Sequence, residues 1–348
     1  MGLVQQYPAL KRPTAPACSV CIANYNGAAM LADCLDSVFS QEFHGEIEVI
    51  VHDDASTDNS VSLLREHYPE VELLVSAENA GFCVSNNRMV ALAKGEYILL
   101  LNNDAALCPG ALDALIQAAR ASDSPGIMTL PQYDWESGVL VDRGCLLDPF
   151  CNPIPNLDPK QIRVAYVIGA CMFLPRVVWD STGGLPEWFG SIAEDMYLCG
   201  IARLRGAPIE ALAASGYRHR QGTTFGGNRA ERGLNTSTKR RRLSERNKTR
   251  SLIILTPGPL MLPLLCLHLV ALMLEGVVLS IWRGDAALLR DVYMPAVMTP
   301  FREWAVLRKY RYNVQATRTI SVAQWFSAVR WQLRKVTMLT RYGMPKVR

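Results

Sequence analysis

Several things are scarce in this 348-residue chain. No internal repeat and no long low-complexity segment is visible, which speaks against a solenoid or a disordered polar tract. Residues 1–16 lack the long apolar core of a signal peptide and read as a short, Pro-containing lead-in. Ten cysteines are scattered without a framework. Cys18 and Cys21 form a CxxC, but no second Cys/His pair follows at zinc spacing, so a buried strand in a reducing cytosol is expected instead. No Gly-rich, phosphate-cradling loop follows the first strand, because Asn24-Tyr25-Asn26-Gly27 does not supply one, and this disfavours a nucleotidyltransferase. Acidic residues thin out towards the C-terminus. Residues 239–348 hold 20 Lys/Arg against 5 Asp/Glu, whereas residues 1–238 hold 16 against 27. An acidic body therefore carries a basic, Leu-rich tail suited to an anionic surface.

What is present is a regular alternation. Ser19 to Ala23, Ile47 to Val51, Val71 to Val75 and Tyr97 to Leu101 read as buried strands. Residues 29–40 and 82–94, and a segment beginning at Val61, carry helical spacing. Strands alternating with helices imply βαβ units and a mainly parallel α/β sheet. The loops at Asp53 and Asp104 then fall on one sheet edge, the C-terminal edge at which open α/β sheets bind ligands. Residues 131–165 are rich in Pro and Asp and read as irregular. Residues 196–205 read as a helix stopped by Gly206-Ala207-Pro208.

Candidate functional residues lie at the ends of these elements. Tyr97 to Leu101 runs straight into Asn102-Asn103-Asp104, where a hard oxygen ligand can hold a divalent cation, which in turn can hold a diphosphate. Asp53 and Asp54 end another strand, where a carboxylate can accept hydrogen bonds from a base or ribose. Gly81 opens a helix and suits close backbone approach to a ligand. Glu194-Asp195 starts a helix after a Gly/Pro turn and can supply a general base. His219 stands between Arg218 and Arg220, a setting for a ligand or phosphate contact.

The order Asp53, Gly81-Phe82, Asn102-Asn103-Asp104, Gly169-Ala170-Cys171, Gly184, Glu194-Asp195 and His219 resembles the family 2 glycosyltransferases. Within them it is most similar to the rhamnosyltransferase-like enzymes of bacterial surface polysaccharides, over roughly residues 17–250. The resemblance implies a GT-A fold, that is, a Rossmann-like, mainly parallel sheet with helices on both faces. It implies a donor site with Ala23 and Tyr25 near the base, Asp53 on the base or ribose, and Asn79, Gly81, Asn102 and Asn103 alongside. Asp104 resembles the last residue of the family's metal motif, for Mg²⁺ or Mn²⁺, and His219 the late histidine that joins it. Asp195, with Glu194, resembles the catalytic base. Arg218 and Arg220 are possible diphosphate contacts. The implied reaction is inverting, non-processive transfer of a hexose or rhamnose from a nucleotide-diphosphate sugar to a lipid-linked saccharide. Two departures stand out. The metal motif starts with Asn102 rather than Asp, and Tyr197 stands where this group often has a second acid. Both leave room for a non-catalytic relative, a nucleotide-sugar-binding or scaffold protein of a polysaccharide assembly complex. The Gln-x-x-Arg-Trp motif of polymer synthases is absent.

The expected organisation is a lead-in (1–16), a catalytic domain (17–235) and a basic, apolar helical region (236–348). Leu252 to Leu274 contains no formal charge and is long enough to span a bilayer, but Pro257, Pro259 and Pro263 argue against one straight helix. A second window, Leu260 to Trp282, contains only Glu275 as a charge. Helices lying on the cytoplasmic face of the bacterial inner membrane are expected, with a single transmembrane or re-entrant segment within 252–282 and a buried hairpin as alternatives. No nucleic-acid partner is expected, because the basic residues accompany long apolar runs.

Overall fold

The structure, a computed structural model, describes residues 3–220 and 235–347. Its first hundred residues build the expected alternation. Strand β1 (Val4–Tyr7) precedes β2 (Cys18–Asn24), α1 (Ala28–Phe39), β3 (Ile47–Asp53), α2 (Ser60–His67), β4 (Val71–Ser76), α3 (Phe82–Leu92) and β5 (Tyr97–Asn102). Strands β2 to β5 pair in parallel in the spatial order β4-β3-β2-β5. The winding therefore reverses between β2 and β5, and the crevice at such a reversal is where open α/β sheets bind ligands.

These strands are continuous apolar runs because both faces are covered. Successive side chains point to opposite faces. Leu99 and Leu101 meet Leu31, Leu35 and Leu115 on one side, whereas Ile98 and Leu100 meet Met89 and Val90 on the other. The same alternation separates the CxxC pair, with Cys18 in one core and Cys21 in the other. They cannot share a metal.

After β6 (Ala105–Leu107) and α4 (Ala111–Ala121), the segment expected to be irregular proves to be ordered. After β7 (Ile127–Thr129) it contains β8 (Gln132–Asp134), β9 (Leu140–Asp142), β10 (Cys145–Leu147) and β11 (Pro153–Pro155). Three-residue strands leave too few positions for a period-2 pattern to show, so Pro and Asp dominated the reading. Strand β12 (Cys171–Pro175) enters the main sheet antiparallel beside β5, followed by α5 (Arg176–Thr182), α6 (Glu194–Leu204) and β13 (Ile209–Ala211). Strand β14 (Tyr217–His219) joins a second sheet of order β6-β14-β8-β9.

The C-terminal region is helical. It comprises α7 (Thr238–Leu255), α8 (Met261–Arg283), α9 (Ala286–Leu288), α10 (Met294–Ala316), α11 (Val322–Phe326) and α12 (Arg334–Tyr342), with a short parallel pair formed by β15 (Asn235–Thr236) and β16 (Lys346–Val347). The apolar run 252–274 is not one segment. Leu252 to Leu255 end α7 inside the core, and α8 begins only at Met261. Pro257 and Pro259 cannot donate into a continuing helix, whereas Pro263 sits in the first turn of α8, where no donor is needed. Residues 258–283 form a stretch long and apolar enough to cross a membrane by length and composition. Its one acid, Glu275, is not an unpaired charge. It pairs with Arg241 and with Lys335, which also reaches buried Glu245 at 2.9 Å.

Candidate active site

The ends of β2, β3 and β5 are stitched together by side chains. Asn24, the last residue of β2, donates from Nδ2 to Asp53 Oδ2 at 2.8 Å and accepts from Asn103 Nδ2 at 2.7 Å. This pair spans the β2/β5 reversal. Gly27 lies against it: a Cβ there would stand 2.1 Å from Asn103 Nδ2 and 2.3 Å from Asn24 Oδ1. The second oxygen of Asp53 accepts from the Ser56 amide at 2.9 Å, and the side chain is fully buried. Asp54 clamps the next loop, accepting from the amides of Ala80 and Gly81 at 2.7 and 2.8 Å.

These bonds change what several predicted donor-site residues do in this structure. Asp53 and the Asn103 Nδ2 bond within the frame, and the Gly81 amide donates to Asp54. Gly81, with φ of 92°, allows the loop to turn into α3. Tyr25 and Asn79 are exposed at the rim, and Ala23 and Asn102 are partly exposed between them. The last residue of β5, Asn102, is fixed through its backbone, its amide donating to Ala170 O at 3.1 Å.

Asp104 and His219 meet because β14 pairs antiparallel with β6, opposite Ala105. His219 Nε2 lies 3.0 Å from Asp104 Oδ1, and both residues are buried. The Arg220 amide donates to Asp104 O at 3.0 Å. His219 Nδ1 is buried and has no hydrogen-bond partner among the described residues. Asp142 lies close enough for its charge and that of His219 to interact, and burial pushes its carboxyl up to about 7. A carboxylate oxygen beside an imidazole nitrogen suits Mg²⁺ or Mn²⁺ when diphosphate oxygens complete the shell. The described residues alone contain no group of three or more His, Cys, Asp or Glu that would hold a metal.

The two arginines do not share that position. Strand alternation turns Arg218 away from His219 into solvent, where its charge acts on Cys108. Arg220 is committed to Asp33 and stacks over Trp135 at 3.6 Å.

Glu194 and Asp195 open α6 as expected, but the loop before them is unusual. Ile192 and Ala193 both adopt φ of 70°, a left-handed conformation that costs a non-glycine residue about 1–2 kcal/mol. Asn247 on α7 holds it there. Its Nδ2 lies 3.1, 3.0 and 2.9 Å from the carbonyls of Phe189, Ser191 and Ile192. Asp195 Oδ1 accepts from the Met196 amide at 2.7 Å, and Oδ2 from the Gly169 amide at 3.3 Å. Burial pushes both carboxyls above the ordinary range, Glu194 further because of the Asp195 charge, while Arg240 pulls both back. Tyr197, one turn on, is buried edge-on against Trp188 and beside Phe189. It packs the helix against these rings.

One dipeptide joins the two halves of the site. Gly169 donates to Asp195, and the next carbonyl, Ala170 O, accepts from Asn102. The general-base candidate and the Asn102-Asn103-Asp104 loop are thus set against each other through a single turn ahead of β12. Sequence reasoning passed over Asn24, Arg240 and Asn247. Asn24 had a signal, as the last polar residue of a buried strand. Arg240 and Asn247 had none, because they sit in a helix where basic and polar residues abound.

Residues 19–177 match the family model Glycosyl transferase family 2. An uncharacterized glycosyltransferase of Escherichia coli K12, YibD, is 35% identical over 108 residues, covering 30% of this chain and 31% of that protein. The N-acetylglucosaminyl-diphospho-decaprenol L-rhamnosyltransferase of Mycobacterium tuberculosis H37Rv is 26% identical over 182 residues, covering 44% of this chain and 59% of that protein. The chain thus spans about a third to somewhat over half the length of these relatives. Among solved structures, mannosyltransferase PcManGT from Pyrobaculum calidifontis, in complex with GDP-Man and Mn²⁺, superposes with a TM-score of 0.52 at 19% identity, over 89% of this chain and 90% of that one. Residues 19–177 are thus similar to glycosyl transferase family 2, and the fold is that of the GT-A enzymes.

Proposed function

We propose that the protein is an inverting glycosyltransferase that moves a sugar, rhamnose by analogy with the mycobacterial relative, from a nucleotide-diphosphate donor to a hydroxyl of a lipid-linked saccharide. The observation that carries this reading is the Gly169-Ala170 turn, which ties Asp195 to the loop bearing Asp104, beside which His219 of β14 lies. A base and a diphosphate site held in fixed relation are what a direct displacement requires. In the proposed step the acceptor oxygen attacks the anomeric carbon as the bond to the diphosphate breaks, and the diphosphate leaves with the electron pair. Asp195 takes the acceptor proton. The raised carboxyl helps here, because a stronger base is a better proton acceptor provided it is ionised at the working pH. Arg240 favours the ionised form. Asp104 and His219 would hold Mg²⁺ or Mn²⁺, which when bound neutralises charge on the departing diphosphate.

The same reading puts the protein at the cytoplasmic face of the inner membrane, lying on it. Two features support this: the basic tail, and the exposed Leu267, Val270, Leu274, Ile281 and Trp282 on α8. A lipid-linked acceptor, like the one in the name of the mycobacterial relative, would be met there.

Asp195→Asn tests the chemistry. Transfer should fall by about 10²–10⁴-fold while sugar-nucleotide binding, read by thermal shift, survives. In the wild type, kcat/KM should fall on acidification along a limb lying above the ordinary carboxylate range, and excess chelator should stop turnover. Normal turnover by the variant would remove the base assignment.

A further inference from the structure

The α7–α8 turn and the last turns of α10 line an open surface cavity of about 460 Å³ that takes no part in the site above. Arg308, Arg311, Tyr312 and Gln315 lie on one face of α10, and Arg318 and Gly258 close the walls. None of its lining residues is acidic. Arg311 and Gln315 have structural work. Arg311 donates to the carbonyls of Ile253, Thr256 and Gly258, and Gln315 to those of Ile254 and Leu255, so together they cap the end of α7. Among the described residues Arg308, which is exposed, has no ion-pair partner, and the Arg318 guanidinium donates only to Ile320 O. Three guanidiniums thus crowd a cavity without a counter-charge. The charge of Arg318 adds to burial in lowering the proton affinity of Arg311.

The cavity opens where the apolar helix begins. Gly258 contributes to its wall, and Leu260 and Leu262, two and four residues on, are exposed. Beyond them runs the exposed apolar row of α8. The cavity is also remote from the transfer site. The last turn of α6 is bonded to residues next to it, Leu204 O accepting from the Thr319 amide and Arg205 donating to Thr317 Oγ1. The catalytic carboxylates open that helix, about 16 Å away along its eleven residues.

We propose that this cavity is a headgroup site for an anionic phospholipid, its phosphate held by Arg308 and Arg318 and its acyl chains lying along the exposed face of α8. Charge complementarity argues for the headgroup, and the adjoining apolar row argues for a lipid rather than a soluble phosphate. A volume of this size accommodates a phosphoglycerol group. The proposal rests on the membrane reading given above and adds to it a defined docking point.

The test is co-sedimentation of the full chain with vesicles of phosphatidylcholine alone or with added phosphatidylglycerol. Arg308→Gln/Arg318→Gln is compared with Arg302→Gln/Lys309→Gln, a pair of equal charge on α10 outside the cavity. Arg311 is left intact because it holds the fold. The wild type should bind the anionic vesicles, and the cavity variant should lose at least about tenfold more affinity than the control pair, since charge-assisted bonds to phosphate are lost as well as net charge. Equal losses in the two variants would overturn the headgroup site and leave the membrane reading standing. A wild type that ignores both vesicles would remove the membrane reading and this site with it. Inorganic phosphate that raises the melting temperature of the wild type but not of the cavity variant, with vesicle binding the same in both, would assign the cavity to a soluble phosphate and overturn the lipid.

Discussion

Asn247 touches none of the candidate reacting groups, yet the geometry makes transfer depend on it. It is fully buried, and its amide nitrogen serves three carbonyls with two hydrogens while Oδ1 accepts from Arg250 at 3.0 Å. Asn247→Ala leaves the Ser191 and Ile192 carbonyls without this donor, while Phe189 O keeps only the longer bond from Arg246 at 3.4 Å. A buried polar group stripped of its partner costs about 1–3 kcal/mol. Water entering the vacated space would recover part of this, so a net loss of about 2–4 kcal/mol is expected. For a chain of this size that corresponds to a fall in Tm of roughly 3–5 °C. The loop also loses what keeps Ile192 and Ala193 in the left-handed region, so it should relax and carry Asp195 away from Gly169. Misplacement by about 1 Å can cost on the order of 10²-fold in rate. The frame at the ends of β2, β3 and β5 does not involve Asn247, so KM for the donor should stay within about threefold while kcat falls by about 10–100-fold. The assay is turnover of the sugar nucleotide alongside thermal denaturation. Asn247→Asp should be worse than alanine, because it faces the carbonyls with a carboxylate. A variant with lowered Tm but unchanged kcat would refute the positioning argument, leaving Asn247 as a core residue only.

Two further predictions address the frame and the buried acid. Gly27→Ala places a methyl group inside the Asn24–Asn103 pair, so donor affinity should fall and Tm should drop by at least about 2 °C, as overpacking costs about 1–3 kcal/mol; an unchanged donor Kd would show that the pair is not part of the donor frame. Asp142 has a carboxyl raised from 3.8 to about 7, so the folded state disfavours its ionised form. Stability from this group is therefore fully present below about pH 4, declines as pH rises to about 7, and stays low above it. Asp142→Asn keeps an acceptor for the Gly144 amide, which bonds Oδ1 at 2.9 Å, and removes the charge. Its Tm should exceed that of the wild type at about pH 8 by a few degrees and match it near pH 4; a Tm difference independent of pH would refute the assignment.

Much of the catalytic half was legible because its signals are local. A buried strand of Tyr97 to Leu101 ending in polar residues needs only a sheet with two covered faces to be understood. The alternation of strand and helix then put Asp53 and Asp104 on one edge. Other arrangements need more than short range. Arg218 and Arg220 flank His219 equally in sequence, and only the pairing of β14 with β6 shows that one faces solvent and the other is bound to Asp33. Asp53 and Asn103 read as ligand contacts because they are polar residues at strand ends. In the structure they bond, through Asn24, to each other's strands. Glu275 read as a charge stranded in an apolar window, until Arg241 and Lys335 came in from 34 and 60 residues away.

By itself the sequence determined where strands end and acids begin, since hydrophobic periodicity and strand-end chemistry act over a few residues. It also determined the split between an acidic body and a basic, apolar tail. The tertiary structure alone decided which polar residues are spent on the frame and which remain for chemistry. It brought Asp104 to His219 across 115 residues and Asn247 to the loop before Asp195. The physical reason is that a buried polar atom must find a partner, and in this fold most of those partners lie on another strand or helix, at separations that no local pattern encodes.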